Sequence, residues 1–237
     1  MKENNLKTFT YIDQNDFDVS QYKNEMTKHG VFLAQFEKEI DVLSLIHKVG
    51  KPHSHNGNNA YVWDIKPKPG ESSETVARSQ TMEEFVFHTD CSFEVPPPPY
   101  VALYVIHPDR FGGGISKMID IDDILSLLDR RTKDLLAHDV KVKIPKEFMK
   151  DREYSTGPIL FKGNRIAYRR ECIIESELSA EHIQALDALD AQIANPACVT
   201  SVSLPRGSVL FLDNTRFLHA RTEIKDEKRH LQRVRYF

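Results

Sequence analysis

The apolar residues of this chain come in short, β-prone runs separated by turn signals, and this restricts its fold more than any other property. Val31 to Phe36, Tyr100 to Ile106, Val199 to Leu204, Ser208 to Asp213 and His230 to Tyr236 are each rich in β-branched or aromatic residues. Ile159 to Phe161 and Arg165 to Tyr168 flank Lys162-Gly163-Asn164 and read as a hairpin. Helical spacing appears in Asp18 to His29, closed by Gly30, and in Ile40 to Val49, closed by Gly50 and Pro52. It returns in Ile121 to Ala137 and in Ala180 to Ala194, which follows Ser179 as an N-cap. Residues 51–80 are polar and punctuated by proline, a long loop. A doubly wound parallel sheet would need regular strand–helix alternation, which is missing. The expectation is a mainly β fold with helical insertions (α+β), built as a sandwich or jelly roll.

The 237 residues show no repeat or linker and suit one domain over 1–237. With 40% hydrophobic and 28% charged residues, the chain can bury a core. A net charge of -3 provides no global attraction to nucleic acid or anionic lipid. No apolar run is long enough to span a bilayer, and the N-terminus lacks the apolar stretch of a signal peptide. Cys91, Cys172 and Cys198 are odd in number and far apart, which fits a reducing cytoplasm better than a disulfide framework.

Chemistry concentrates in His88-Thr89-Asp90, which ends the β-prone run Phe85-Val86-Phe87. On a strand, residues two apart share a face, so this imidazole and carboxylate can grip one metal ion from one side. A later histidine, His219, would complete the two-histidine, one-carboxylate set of non-heme iron(II) oxygenases. Alone, His-X-Asp is more often a surface pair or a satisfied core pair. Arg229 and Arg233 share a face of the closing strand and could hold carboxylates bidentately, although a basic edge strand has the same look. Asp213 and Asn214 could bond a ligand ring or form a turn. Cys91 would face away from the metal if the strand continued, and reads as packing. Trp63 reads as core, and His53 and His55 as loop residues rather than a second metal site.

Four segments occur in order: Phe87-His88-Thr89-Asp90-Cys91-Ser92-Phe93, Phe111-Gly112-Gly113-Gly114-Ile115-Ser116, Leu212 to Arg221, and Arg229 to Val234. Together they resemble the iron(II)- and 2-oxoglutarate-dependent dioxygenases of the taurine dioxygenase and clavaminate synthase-like group. The resemblance implies a double-stranded β-helix (jelly-roll) core. It implies His88, Asp90 and His219 as iron ligands, and Arg229 with Ser116 as the anchor of the far carboxylate of 2-oxoglutarate. The family usually has threonine where Ser116 stands, and a one-residue slip would put Ile115 there. Arg233 matches a second arginine that meets an anionic substrate group, and the two arginines could exchange roles. Gln80, just before the His88 strand, is a further candidate substrate contact. The implied reaction consumes 2-oxoglutarate and dioxygen, releases succinate and carbon dioxide, and oxidises a small molecule. A carboxylate at position 90 favours hydroxylation over halogenation. Desaturation, epoxidation and cyclisation share the ligand set. A metal-binding jelly roll without chemistry is the competing reading, and a nucleic-acid demethylase, suggested by the basic stretch Arg216 to Arg235, is weaker.

Overall fold

The computed structural model describes residues 6–54 and 60–237. The chain runs from β1 (Thr8–Tyr11) through α1 (Val19–His29) to β2 (Val31–Phe36) and α2 (Val42–His47). Next come β3 (Pro52–His53), β4 (Trp63–Ile65), β5 (Phe85–His88), β6 (Tyr100–His107) and β7 (Ser116–Asp120). Two short helices, α3 (Ile121–Leu125) and α4 (Arg130–Leu136), precede β8 (Asp139–Lys143), β9 (Tyr154–Pro158), β10 (Leu160–Phe161) and β11 (Arg165–Ile166). The chain ends with α5 (Ala180–Ile193), β12 (Thr200–Val202), β13 (Ser208–Asp213), β14 (Phe217–Arg221) and β15 (His230–Tyr236). The mainly β expectation with helical insertions holds.

Two sheets frame the molecule. The larger has the order β1-β2-β13-β6-β15-β3, with β4 also paired to β15. The smaller has the order β12-β7-β14-β5. Leu33, Val101, Leu210 and Leu231 of the larger sheet pack against Met118, Val202 and Phe217 of the smaller, forming an apolar seam between them. Neighbouring strands come from distant parts of the sequence, so the sandwich brings residues near 88 beside residues near 219.

Helices cover the outer faces. Asp18 caps α1 by accepting from the Ser20 and Gln21 amides, and Gly30 ends it with φ +68°. The aromatic rings of Phe17, Tyr22, Phe32 and Phe211 then lock α1 onto the larger sheet. Each such buried ring contributes about 1.5–3 kcal/mol of burial. On the other side, α3, α4 and α5 bury Ile124, Leu136, Leu186 and Leu189 against the outer region near β8 and β9.

Two expectations are corrected. The helix over Ile121 to Ala137 is two helices, because the Asp129 side chain accepts from the Thr132 amide and starts a new one. The stretch 51–80 is not wholly loop, since β3 and β4 pair with β15.

Candidate active site

His88 ends β5, and its direct partner across the ladder is His219 of β14. Asp90 is no longer on the strand, so the expected grip from one strand face is half right. The strand stops at His88, and a turn carries the carboxylate. That turn is pinned by side chains from elsewhere. The Thr89 amide donates to the Tyr168 carbonyl at 2.7 Å, and the Tyr168 amide donates back to Thr89 Oγ1 at 2.9 Å. Asn214 accepts from the Asp90 amide at 2.7 Å and donates to the Asp90 and Pro98 carbonyls at 2.9 and 2.8 Å.

The result is a tight donor cluster. One ligand atom each from His88, Asp90 and His219 lies within 4.8 Å of the others, the one such group among the described residues. Nε2 of His88 and Nε2 of His219 stand 3.7 and 3.8 Å from Asp90 Oδ1. The Val86 carbonyl can only accept, so His88 Nδ1, 2.8 Å away, must donate. That fixes the tautomer and leaves the Nε2 lone pair toward the cluster. Burial, with His219 adjacent, pushes the His88 imidazole down to about 4, so it is neutral at physiological pH. Burial alone would raise the Asp90 pKa, but the Arg233 guanidinium and the two imidazoles outweigh it and keep the carboxylate ionised.

These residues fit a divalent metal. Asp90 Oδ2 and His219 Nδ1 are buried without a hydrogen-bond partner. Two imidazoles and one carboxylate are the donor set of an iron(II) facial triad.

A cleft of about 460 Å³, counting its mouth, opens on the cluster. Its walls include His88, Ser116, His219, Arg221, Arg229 and Arg233. Ser116, not Ile115, faces it. Arg229 is 5% exposed, and its Nη1 has no partner. Burial lowers the guanidinium to about 10, so it stays cationic at neutral pH. The glycine run explains its seat, because a Cβ on Gly114 would lie 2.6 Å from Arg229 Nε. Arg233 sits differently, donating from Nη1 to Asp90 Oδ1 at 2.9 Å.

Other sequence candidates separate. Gln80 does not line the cleft, and its amide is directed to the Asp64 carbonyl at 3.4 Å. Its neighbour Ser79, which the sequence did not single out, faces the cleft beside Trp63 Nε1. Cys91 packs in the core, as expected, at 5% exposure beside Phe93. Its φ of +55° turns it beside a second recess, with its sulfur against Arg235. His53 pairs with Glu94 at 2.8 Å, and His55 lies outside the described residues. Asp213 pairs with Arg165 at 2.5 Å and caps its own turn.

Residues 26–235 match the family model described as taurine catabolism dioxygenase TauD, TfdA family. The chain belongs to this family. No curated protein matches it in sequence. Among solved structures it is similar to an asparagine oxygenase in complex with Fe(II), 3-hydroxyasparagine and succinate. That likeness has TM-score 0.75 at 19% identity, covering 94% of this chain and 78% of the other. The non-heme iron oxygenase OrfP with Fe and alpha-ketoglutaric acid is also similar, with TM-score 0.73 at 16% identity, covering 98% and 94%.

Proposed function

We propose that this member of the TauD/TfdA family is an iron(II)- and 2-oxoglutarate-dependent oxygenase that hydroxylates a small carboxylate-bearing molecule, an amino acid or a tailoring intermediate. The observation that carries this reading is the buried His88, Asp90 and His219 cluster opening onto the same cleft as the unpaired Arg229 Nη1. Bound iron would supply the redox chemistry by which one oxygen atom enters a substrate C–H bond and the other leaves in succinate, with release of carbon dioxide. The chain holds the parts. His88, Asp90 and His219 are the proposed ligands. Arg229 and Ser116 would clasp the far carboxylate of 2-oxoglutarate, a charge-assisted pairing. Arg233, held at Asp90, would meet a substrate anion. The apolar walls Ile65, Phe85, Leu103 and Leu231 limit water around the reacting groups.

The two-sheet sandwich supports a jelly-roll core and one domain over 1–237. The three buried, unbridged cysteines support a cytoplasmic setting. Asparagine and arginine derivatives in the similar oxygenases support an amino-acid substrate.

Purified protein given iron(II), ascorbate, 2-oxoglutarate and substrate should release succinate. His88→Ala and Asp90→Ala should abolish that release. Arg229→Gln should raise the KM for 2-oxoglutarate by roughly 10- to 100-fold, the size of one hydrogen-bonded charge pair. Retained turnover in the two ligand variants would refute the assignment.

A further inference from the structure

A second recess meets the first at His88, and its electrostatics describe the substrate. Among the described residues, the recess is lined by Arg78, Arg169, Arg233 and Arg235 against only Asp90 and Glu147. Asp90 is already committed to the metal cluster. Arg169 is placed there by the same Thr89–Tyr168 hydrogen bonds that fix the ligand turn. Its guanidinium lies 5.3 Å from the ring centre of Phe85, and that ring stacks on His88 at 3.8 Å.

Most balancing carboxylates of these arginines lie outside the recess. Arg169 Nε reaches Glu171 at 2.8 Å, and Arg78 reaches Glu83 at 2.5 Å. Glu171 and Glu83 are 41% and 57% exposed, so solvent screens both pairs. Inside, Arg78 Nε and Arg233 Nε are buried without an acceptor. Buried cations require an opposite charge, and this pocket does not supply enough of it. Among the described residues, Glu147 is the one carboxylate in the recess not tied to the metal cluster. Phe148 beside it forms part of the roof, 5.0 Å from the Arg235 guanidinium carbon and packed on Phe93.

We infer that the primary substrate is an amino acid with an acidic side chain, a molecule with two carboxylates and one ammonium. One carboxylate pairs with Arg233 beside the metal cluster, the second with Arg78 and Arg169, and the ammonium with Glu147. This rests on the oxygenase reading and adds the substrate class. A neutral or cationic side chain would leave the arginine-rich wall uncompensated.

The test compares L-aspartate and L-glutamate with L-asparagine, L-glutamine and L-arginine. Binding to the iron- and 2-oxoglutarate-loaded protein is measured anaerobically by calorimetry, and turnover by succinate release and a mass gain of one oxygen. At least one acidic amino acid should bind about 10- to 100-fold more tightly than its amide, the worth of one charge-assisted pair. Arg169→Gln should shrink that acid-to-amide ratio toward one, whereas a purely structural role would weaken both ligands alike. If Arg169→Gln does not fold, the wild-type ratio alone decides. Equal or tighter binding of an amide or of arginine, or no binding of either acid, overturns the substrate class. The oxygenase reading fails separately, if iron(II) and 2-oxoglutarate give no visible charge-transfer band without oxygen and no probe yields succinate.

Discussion

Asn214 is fully buried, and every side-chain hydrogen bond it makes goes to the Asp90 backbone or to Pro98. It holds the backbone of Asp90 from 124 residues away. Asn214→Ala would leave buried amide and carbonyl groups unpaired, a loss of about 3 kcal/mol if the terms overlap. It should also weaken iron(II) binding about 10- to 100-fold, as loss of an outer support does. Calorimetric iron(II) titration of the folded variant checks this, and an unchanged Kd would reduce Asn214 to a fold-only role. Gly114 acts on the other half of the site. Its φ of +59° disfavours any side chain, and a Cβ there would press on Arg229. Gly114→Ala should raise the KM for 2-oxoglutarate more than tenfold while iron binding persists, which kinetics and titration separate. At this scale the sequence names the proposed ligands, since His-X-Asp, a distant His and a closing Arg are local patterns. It does not place Arg169 or resolve what Asn214 holds. Those roles are side-chain contacts across sheets, which no spacing encodes. Gln80 and Ser79 differ by one position, and the short turn that carries them decides which one faces the cleft.

Elements with dense apolar content, such as β2, β6, β13 and β15, were legible because each carries enough buried surface to define itself. By contrast β7, Ser116-Lys117-Met118-Ile119-Asp120, presents few apolar residues, and only its neighbours β12 and β14 make it a strand. The split between α3 and α4 was written in Asp129, a cap inside an otherwise continuous stripe. Contact between α1 and β15 has a measurable consequence. Tyr22 and Tyr236 share a buried hydroxyl pair at 2.6 Å. Burial pushes Tyr22 up to about 12 and Tyr236 well above its ordinary value. Both folded values exceed the unfolded value near 10. The stability from keeping them neutral is therefore complete below about pH 10 and is lost as pH rises through 12, about 2–3 kcal/mol for Tyr22. Tyr22→Phe should cost about 1–3 kcal/mol at pH 8, because Tyr236 loses its partner, yet flatten the alkaline decline. Urea denaturation at pH 8, 10 and 11 tests both, and an equally steep decline in the variant would refute the assignment.

The whole molecule is what assembles the site. The proposed iron ligands come from the end of β5 and from β14, and the proposed 2-oxoglutarate clasp from β7 and the approach to β15. No contiguous segment contains them, so the unfolded chain offers no equivalent site and binding must stabilise the fold. At a hundredfold excess of metal over Kd, linkage adds about 2.7 kcal/mol. For a domain of this size that raises Tm by about 5–10 °C. Anaerobic thermal unfolding with iron(II) should show the rise, and His219→Ala should remove it when read against the variant's own metal-free Tm, which shifts because the His219 ring packs on His88 and faces Asp90 at 3.8 Å. 2-Oxoglutarate should add a further increment only when metal is present, because on the proposed assignment Arg229 would clasp one end of the molecule and the metal would hold the other. Arg229→Gln should then keep the metal increment and lose the second. An equal 2-oxoglutarate shift without metal would mean that the two half-sites do not act together, and the shared cleft would have to be reassigned.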